Sequence, residues 1–280
     1  MQVINNPKQM QDLTLSLKKE GKRIGFVPTM GYLHEGHLSL IRCSKKENDI
    51  TVVSIFVNPL QFGKNEDLDK YPRDFERDKT LCQKEGVDFI FYPDYKDMYP
   101  EGYQTYVEVV ELSKGLCGDF RPGHFKGVTT VVLKLFNIVC PDNAYFGKKD
   151  YQQLKVIERM VKDLNLPVNV IGCPIVREPD GLAMSSRNSY LSKEERDSAL
   201  FIYKGLIEGK KLFESGEKNS KKIKEIVIDT IKKAPLLKEI QYVELVDKSS
   251  LKPKETAEKG DIIAVAVYIE NTRLIDNIEL

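Results

Sequence analysis

Residues 50–57 read ITVVSIFV, an almost unbroken apolar run rich in β-branched side chains. A strand with one face in water alternates apolar with polar; a run that is apolar on both faces fits a parallel strand covered by helices on both sides. The flanking segments supply such helices. Residues 22–29 (KRIGFVPT) predict a short strand that ends at a glycine-bearing loop, and residues 37–47 place Leu38, Leu40 and Ile41 apart from the charges, a helical pattern. Residues 74–86 read as helix, 87–92 as strand, and 128–140 as a buried helix closed by Pro141. Residues 144–147, 151–164 and 168–171 follow as strand, helix and strand. This alternation predicts right-handed crossovers and an α/β domain over residues 1–175, a Rossmann-like doubly wound parallel sheet. Ligands of such sheets sit beyond the carboxyl ends of the strands.

After residue 176 the pattern changes. Two charged amphipathic helices (192–214 and 221–233) precede strand-like stretches at 240–246, 262–270 and 272–278, which predicts a second, smaller α+β domain over 176–280. The chain's 280 residues are enough for two cores. With 43 basic and 42 acidic residues the formal charge is +1, which argues against a long nucleic acid as partner. Five cysteines without a C-x-x-C pair fit reduced thiols in a reducing compartment. The start lacks a basic stretch followed by an apolar run, and no apolar segment approaches the roughly 20 residues of a membrane span. The expectation is a cytoplasmic protein with no membrane partner.

The richest chemistry lies in Pro28-Thr-Met-Gly-Tyr-Leu-His-Glu-Gly-His37, between the first predicted strand and helix. Gly31 and Gly36 let the backbone approach a ligand, and the following helix offers N–H groups and a positive dipole end to phosphate. His34 and His37 add donors to the same anion. A Walker loop is excluded, because the Lys and Ser/Thr it needs after the second glycine are here His37 and Leu38. The third and last histidine, His124, lies in another basic glycine turn, Arg121-Pro-Gly-His-Phe-Lys126. Lysines in Gly147-Lys148-Lys149-Asp150 can neutralise phosphate, and Asp150 can cap a helix or hold a ribose hydroxyl. Met184-Ser185-Ser186-Arg187 offers two hydroxyls and a guanidinium on a loop suited to closing over triphosphate. Asn58 and Gln61 end the 50–57 strand as uncharged hydrogen-bonders for a small hydroxy acid or amine, with Gln152 or Gln153 as a further contributor.

The H-x-G-H turn with a later M-S-S-R loop resembles the HIGH and KMSKS elements of the adenylyl-transferring superfamily. More narrowly, FVPTMGYLHEGHLSLI, SIFVNPLQFG, YPR, RPGHFKGV, YFGKKDYQQL and REPDGLAMSSRNSYLS resemble the pantothenate synthetase (pantoate–β-alanine ligase) family, in order, over residues 26–192. The resemblance implies an ATP-dependent ligase working with Mg²⁺: pantoate is adenylated, and β-alanine then displaces AMP to form the amide. It implies that His37, His34, Lys149 and Arg187 are catalytic. ATP would be held by Met30, Gly31, Tyr32, Leu33, His34, Glu35, Gly36 and His37. Gly147, Lys148, Lys149, Asp150, Val176, Met184, Ser185, Ser186 and Arg187 would complete the nucleotide site. Gln61 would bind pantoate beside β-alanine and Gln153 would bind pantoate from the other side, with Asn58, Arg121 and His124 as polar lining and Asp78 as a candidate Mg²⁺ ligand. Lys148 stands where the family often has an acidic residue. A homodimer, and a smaller domain acting as a lid, are implied as well.

The nearest rival is a nucleotidyltransferase that moves AMP or CMP onto a phosphate-bearing small molecule. It would share the H-x-G-H turn but would need extra basic residues for the acceptor, and the neutral Asn58–Gln61 pair favours a carboxylate–alcohol instead. A tRNA-charging enzyme would need an anticodon-binding region, and nothing after residue 176 is basic and aromatic enough for one. A silent nucleotide-binding regulator fits poorly with three retained histidines and both loop lysines.

Overall fold

The computed structural model describes all residues except Asn65. Six strands, β1 (Gln2–Ile4), β2 (Ile24–Thr29), β3 (Ile50–Ile55), β4 (Phe89–Phe91), β5 (Asn143–Gly147) and β6 (Asn169–Cys173), form one sheet in the order β1-β4-β3-β2-β5-β6, parallel at every pairing. The helices are α1 (Pro7–Lys19), α2 (Glu35–Glu47), α3 (Phe75–Lys84), the short α4 (Tyr95–Met98) and α5 (Cys117–Phe120), α6 (His124–Val139) and α7 (Tyr151–Asp163). After them come α8 (Lys193–Glu214), α9 (Ser220–Ile231) and an antiparallel sheet of β7 (Leu237–Val246), β8 (Ile262–Ile269) and β9 (Thr272–Glu279). The expected α/β fold with a second, smaller antiparallel sheet is the one observed.

The chain divides into two compact units. The first is Met1–Val110, Arg121–Lys148 and Gln153–Pro174; the second is Glu111–Phe120, Lys149–Gln152 and Ile175–Leu280. A single cut at 175/176 does not provide for the two short segments that join the second unit. The 111–120 segment is fixed there by Gln152, a buried amide that accepts from Cys117 N at 2.9 Å and donates to the carbonyls of Leu112, Lys114 and Gly115. Sequence reading offered Gln152 beside Gln153 as a ligand group; the structure uses Gln152 as a loop staple.

The apolar run at 50–57 becomes β3, in register with β2 from Ile24↔Ile50 to Thr29↔Ile55. One cluster, with Phe26, Val52, Phe136 and Phe146, fills one part of the first unit's core; another, with Val27, Leu33, Ile41, Val53 and Ile90, fills a second part. Alternate residues of β2 and β3 enter different clusters, which is why neither strand shows polar alternation. Chain progress outward from β2 reverses direction between β3 and β5, so the switch point of the sheet lies between β2 and β5. The loops leaving these two strands begin at Met30 and Lys148, where the topology leaves a crevice for a ligand. In the second unit, Leu206, Val227, Val243, Val265 and Leu274 pack α8 and α9 on the antiparallel sheet.

Candidate active site

The loop leaving β2 is shaped by hydrogen bonds from below. Thr29 Oγ1 donates to the Ser54 carbonyl at 2.8 Å and accepts from Gly31 N at 3.1 Å. Gly31 and Tyr32 both have positive φ, 86° and 50°, so the chain turns sharply at a place where most side chains are strained. Asp78 of α3, 1% exposed, holds the turn: Oδ2 accepts from Tyr32 N at 2.6 Å and Oδ1 from Leu33 N at 2.7 Å. Arg77 lies 3.4 Å from the same carboxylate and stacks over the Tyr32 ring. Burial pushes the Asp78 carboxyl above its ordinary range, while the two amides and Arg77 pull against that shift.

This geometry revises the reading of Asp78 as a Mg²⁺ ligand. Both of its oxygens serve backbone amides, and the described residues contain no cluster of three or more His, Cys, Asp or Glu side chains placed to hold a metal. Asp78 is a clamp on the loop. Magnesium needs open oxygen positions and usually keeps several waters beside substrate phosphates, so these residues do not build a resident site for it.

The two histidines cap α2. His34 is the N-cap, and its Nδ1 accepts from Gly36 N at 3.1 Å; His37 Nδ1 accepts from His34 N at 3.3 Å. The pair forms a capping box with imidazoles in the roles usually taken by Ser and Glu, the ring centroids being 4.1 Å apart. An Nδ1 that accepts carries no proton, so each neutral ring bears its proton on Nε2. The fold therefore makes both imidazoles Nε2–H donors. It also changes the expected source of anion binding, because Gly36 N goes to the His34 ring and His37 N to the His34 carbonyl at 2.8 Å. The donors at this end of α2 are mainly side chains. Glu35 pairs with Arg42, which also bridges to Glu85.

Gln61 closes a short 3₁₀ turn, Pro59–Gln61, that follows β3. Its Nε2 lies 3.1 Å from Met30 Sδ, and its Oε1 accepts from Asn58 Nδ2 at 3.2 Å. Asn58 is 1% exposed and fully engaged: Nδ2 also donates to the Gly127 carbonyl at 3.1 Å, and Oδ1 accepts from Tyr99 OH at 2.9 Å. A Cβ at Gly127 would overlap the Leu60 carbonyl and Gln61 N, so only glycine lets α6 come this close to the turn. The buried His124 lies 2.9 Å from the Gln61 carbonyl through Nδ1 and 3.1 Å from Arg121 through Nε2. A carbonyl only accepts, so His124 is the Nδ1–H tautomer, opposite to the other two histidines. Arg121 forks onto Glu66 at 2.8 and 2.5 Å. Burial raises the Glu66 carboxyl, but the bonds and charge of Arg121 outweigh it and hold Glu66 below the usual range. Asn58, Arg121 and His124, expected as polar lining, thus brace the Gln61 turn. Gln153, half-buried at the start of α7, precedes the buried Leu154 in the same unit.

Of the remaining expected residues, Gly147 and Lys148 belong to the first unit, and Lys149, Asp150, Val176 and Met184–Arg187 to the second. Met184 N donates to the Val176 carbonyl at 3.0 Å and Glu178 N to the Leu182 carbonyl at 2.8 Å, closing a hairpin around Gly181. Arg177 donates to Asp276 at 2.6 and 3.0 Å and to the Gly181 carbonyl, and stacks 3.9 Å from the Tyr203 ring centroid. Ser185 then caps a 3₁₀ turn, Ser186–Tyr190, by accepting from Arg187 N. Next to Asp276 on β9, Asn277 donates to the Lys149 carbonyl at 2.8 Å. Lys149, which lies 3.7 Å from Asp150, and the loop carrying Met184–Arg187 are thus tied to adjacent residues of one strand. Sequence reading found both loops but not Arg177, Asp276 or Asn277, since a lone charged residue in a strand gives no sign of a buried partner 99 positions away.

The sequence profile of the family described as pantoate-beta-alanine ligase matches residues 2–279. The chain belongs to this family. It is 76% identical over 279 residues to the pantothenate synthetase of a Sulfurihydrogenibium species, covering 100% of both chains. To that of Aquifex aeolicus it is 59% identical over 273 residues, 96% of each. Among solved structures, pantothenate synthetase from Thermus thermophilus superposes with a TM-score of 0.94 at 44% identity, over 100% of this chain and 99% of that one. A Francisella tularensis pantoate-beta-alanine ligase, complexed with beta-gamma ATP and beta-alanine, gives 0.81 at 38% identity, over 100% and 97%.

Proposed function

We infer that the chain catalyses the ATP-dependent condensation of pantoate with β-alanine. A pantoate carboxylate oxygen attacks the α-phosphorus of ATP, giving pantoyl adenylate and pyrophosphate. The β-alanine amine then attacks the acyl carbon, expelling AMP and losing a proton as the amide of pantothenate forms. The observation that carries this reading is the capped histidine pair beside the sheet's switch point, two Nε2–H donors fixed at the head of α2. Negative charge grows on the α-phosphate and on the departing pyrophosphate, and donors fixed beforehand stabilise that growth without reorganising. No covalent enzyme intermediate is needed, so the remaining work is positioning.

In this reading His37 and His34 act on the phosphates with Lys149 and Arg187. The loops Met30–Glu35, Gly147–Asp150 and Met184–Ser186, with Val176, hold ATP, and Gln61 and Gln153 hold pantoate. Mg²⁺ enters as part of the substrate, carried on the phosphates of ATP. A closing role for residues 176–280, a homodimer and a cytoplasmic location belong to the same proposal; no helix of the described residues is long and apolar enough to cross a membrane. Pyrophosphate–ATP exchange should require pantoate, and AMP release should further require β-alanine. Exchange driven by an amino acid, or nucleotide retained in a stable product, would refute the assignment. His37→Ala should lower turnover by about 10²–10³, the scale of losing one preorganised donor.

A further inference from the structure

We propose that Tyr99 is a positioning residue for substrate recognition, acting through Asn58 to fix which end of the Gln61 amide faces the ligand. The proposal deepens the functional reading above and rests on it. An amide side chain has nearly the same shape in its two orientations but opposite chemistry, so an unbraced glutamine presents oxygen or nitrogen almost equally well. Here the choice is made at Asn58, three residues back, and behind it at Tyr99. The Tyr99 hydroxyl donates to Asn58 Oδ1 at 2.9 Å, which turns both Asn58 protons toward Gln61 Oε1 (3.2 Å) and the Gly127 carbonyl (3.1 Å). Gln61 Oε1 is thereby turned toward Asn58 as an acceptor. Its Nε2 is left beside Met30 Sδ at 3.1 Å, a weak acceptor that yields readily to an oxygen. The fold therefore presents Gln61 as a donor, suited to a substrate carboxylate or hydroxyl oxygen.

Each step of this chain is protected. Tyr99 is 6% exposed, and burial pushes its hydroxyl well above the usual range, so it stays protonated and can donate. Its ring is held by Phe56, Tyr95 and Tyr103, at centroid separations of 6.3, 5.4 and 5.0 Å. A reversed Asn58 would set oxygen against the Gly127 carbonyl and nitrogen against Leu60 N, losing both bonds at once.

The test is Tyr99→Phe, which keeps the ring and its packing. Pantoate KM should rise about tenfold, in line with the loss of one buried hydrogen bond. ATP KM and kcat should stay within about threefold, since nothing at the histidine pair changes. On a Gln61→Ala background the same substitution should change pantoate KM by less than about twofold, because residues acting through one another are not additive. An unchanged pantoate KM in Tyr99→Phe overturns the proposal, as does a full tenfold effect on the Gln61→Ala background. A uniform loss of activity that tracks a lowered melting temperature overturns it too, leaving Tyr99 a packing residue. A wild-type protein without pantoate-dependent exchange refutes the function itself, a result distinct from any of these.

Discussion

Replacing Asp78 with Asn tests whether the histidine loop depends on its clamp. The carboxylate accepts two short bonds from consecutive backbone amides, 2.6 and 2.7 Å, at a position 1% exposed. Asparagine keeps one accepting oxygen and sets an NH₂ group against the other amide. One charge-assisted bond is weakened, the second is lost, and a buried N–H is left without an acceptor. Hydrogen bonds to a charged group contribute about 1.5–3 kcal/mol, and an unsatisfied buried group costs about 1–3, so the expected net loss is roughly 2–4 kcal/mol. For a unit of this size that corresponds to a fall in Tm of roughly 4–16 °C. Thermal melts should be paired with pantoate-dependent pyrophosphate exchange measured across a Mg²⁺ titration. The clamp predicts reduced stability and reduced exchange, with the Mg²⁺ midpoint unmoved. A variant that melts like the wild type but needs much more Mg²⁺ would refute the clamp and return Asp78 to the metal.

Three further outcomes follow from the same geometry. Glu66 is held below the usual carboxyl range, so its contribution to stability is present above its unfolded pKa and is lost as pH falls through the folded one; Glu66→Gln should flatten the acid limb of urea-derived stability below the ordinary glutamate pKa of about 4.3. Gly127→Ala forces α6 away from the Gln61 turn, and should cost about 1–3 kcal/mol with a raised pantoate KM, read by melts and steady-state kinetics. Asp276→Asn leaves the Arg177 guanidinium short of its buried partner, and should destabilise the second unit by about 3–5 kcal/mol in a denaturant titration.

The sheet was legible because its evidence is local. Strand β3 announces itself in eight consecutive residues, and α2 in the spacing of Leu38, Leu40 and Ile41. β1 and α1 left no comparable mark: β1 has three residues, and α1 buries only Met10 and Thr14, too few to print a clear apolar stripe on a polar helix. Residues 121–126 read as a glycine turn, yet α6 begins at His124, because Gly123 at φ 80° ends the turn one residue earlier. Within the site, histidines, lysines and glutamines stood out through their chemistry and their loops. Their supports did not. Asp78 reaches Leu33 across 45 positions, and Tyr99 reaches Asn58 across 41. Such pairings are set by tertiary packing, and residue type alone does not reveal the hydrogen bonds that Asp78 and Asn58 make to the protein.

Gly25, on β2, gives the fold an unexpected point of control. A methyl group there would collide with Ser44 Oγ and the Asn48 amide, far along α2 from its histidines. Ser44 lies nine residues after Glu35, about 14 Å down the axis. Prising that end off the sheet by ten degrees would swing the imidazoles through about 2 Å, and even 1 Å can cost a hundredfold in rate. The aim of the histidine end is thus set by one missing carbon at the opposite end of the rod.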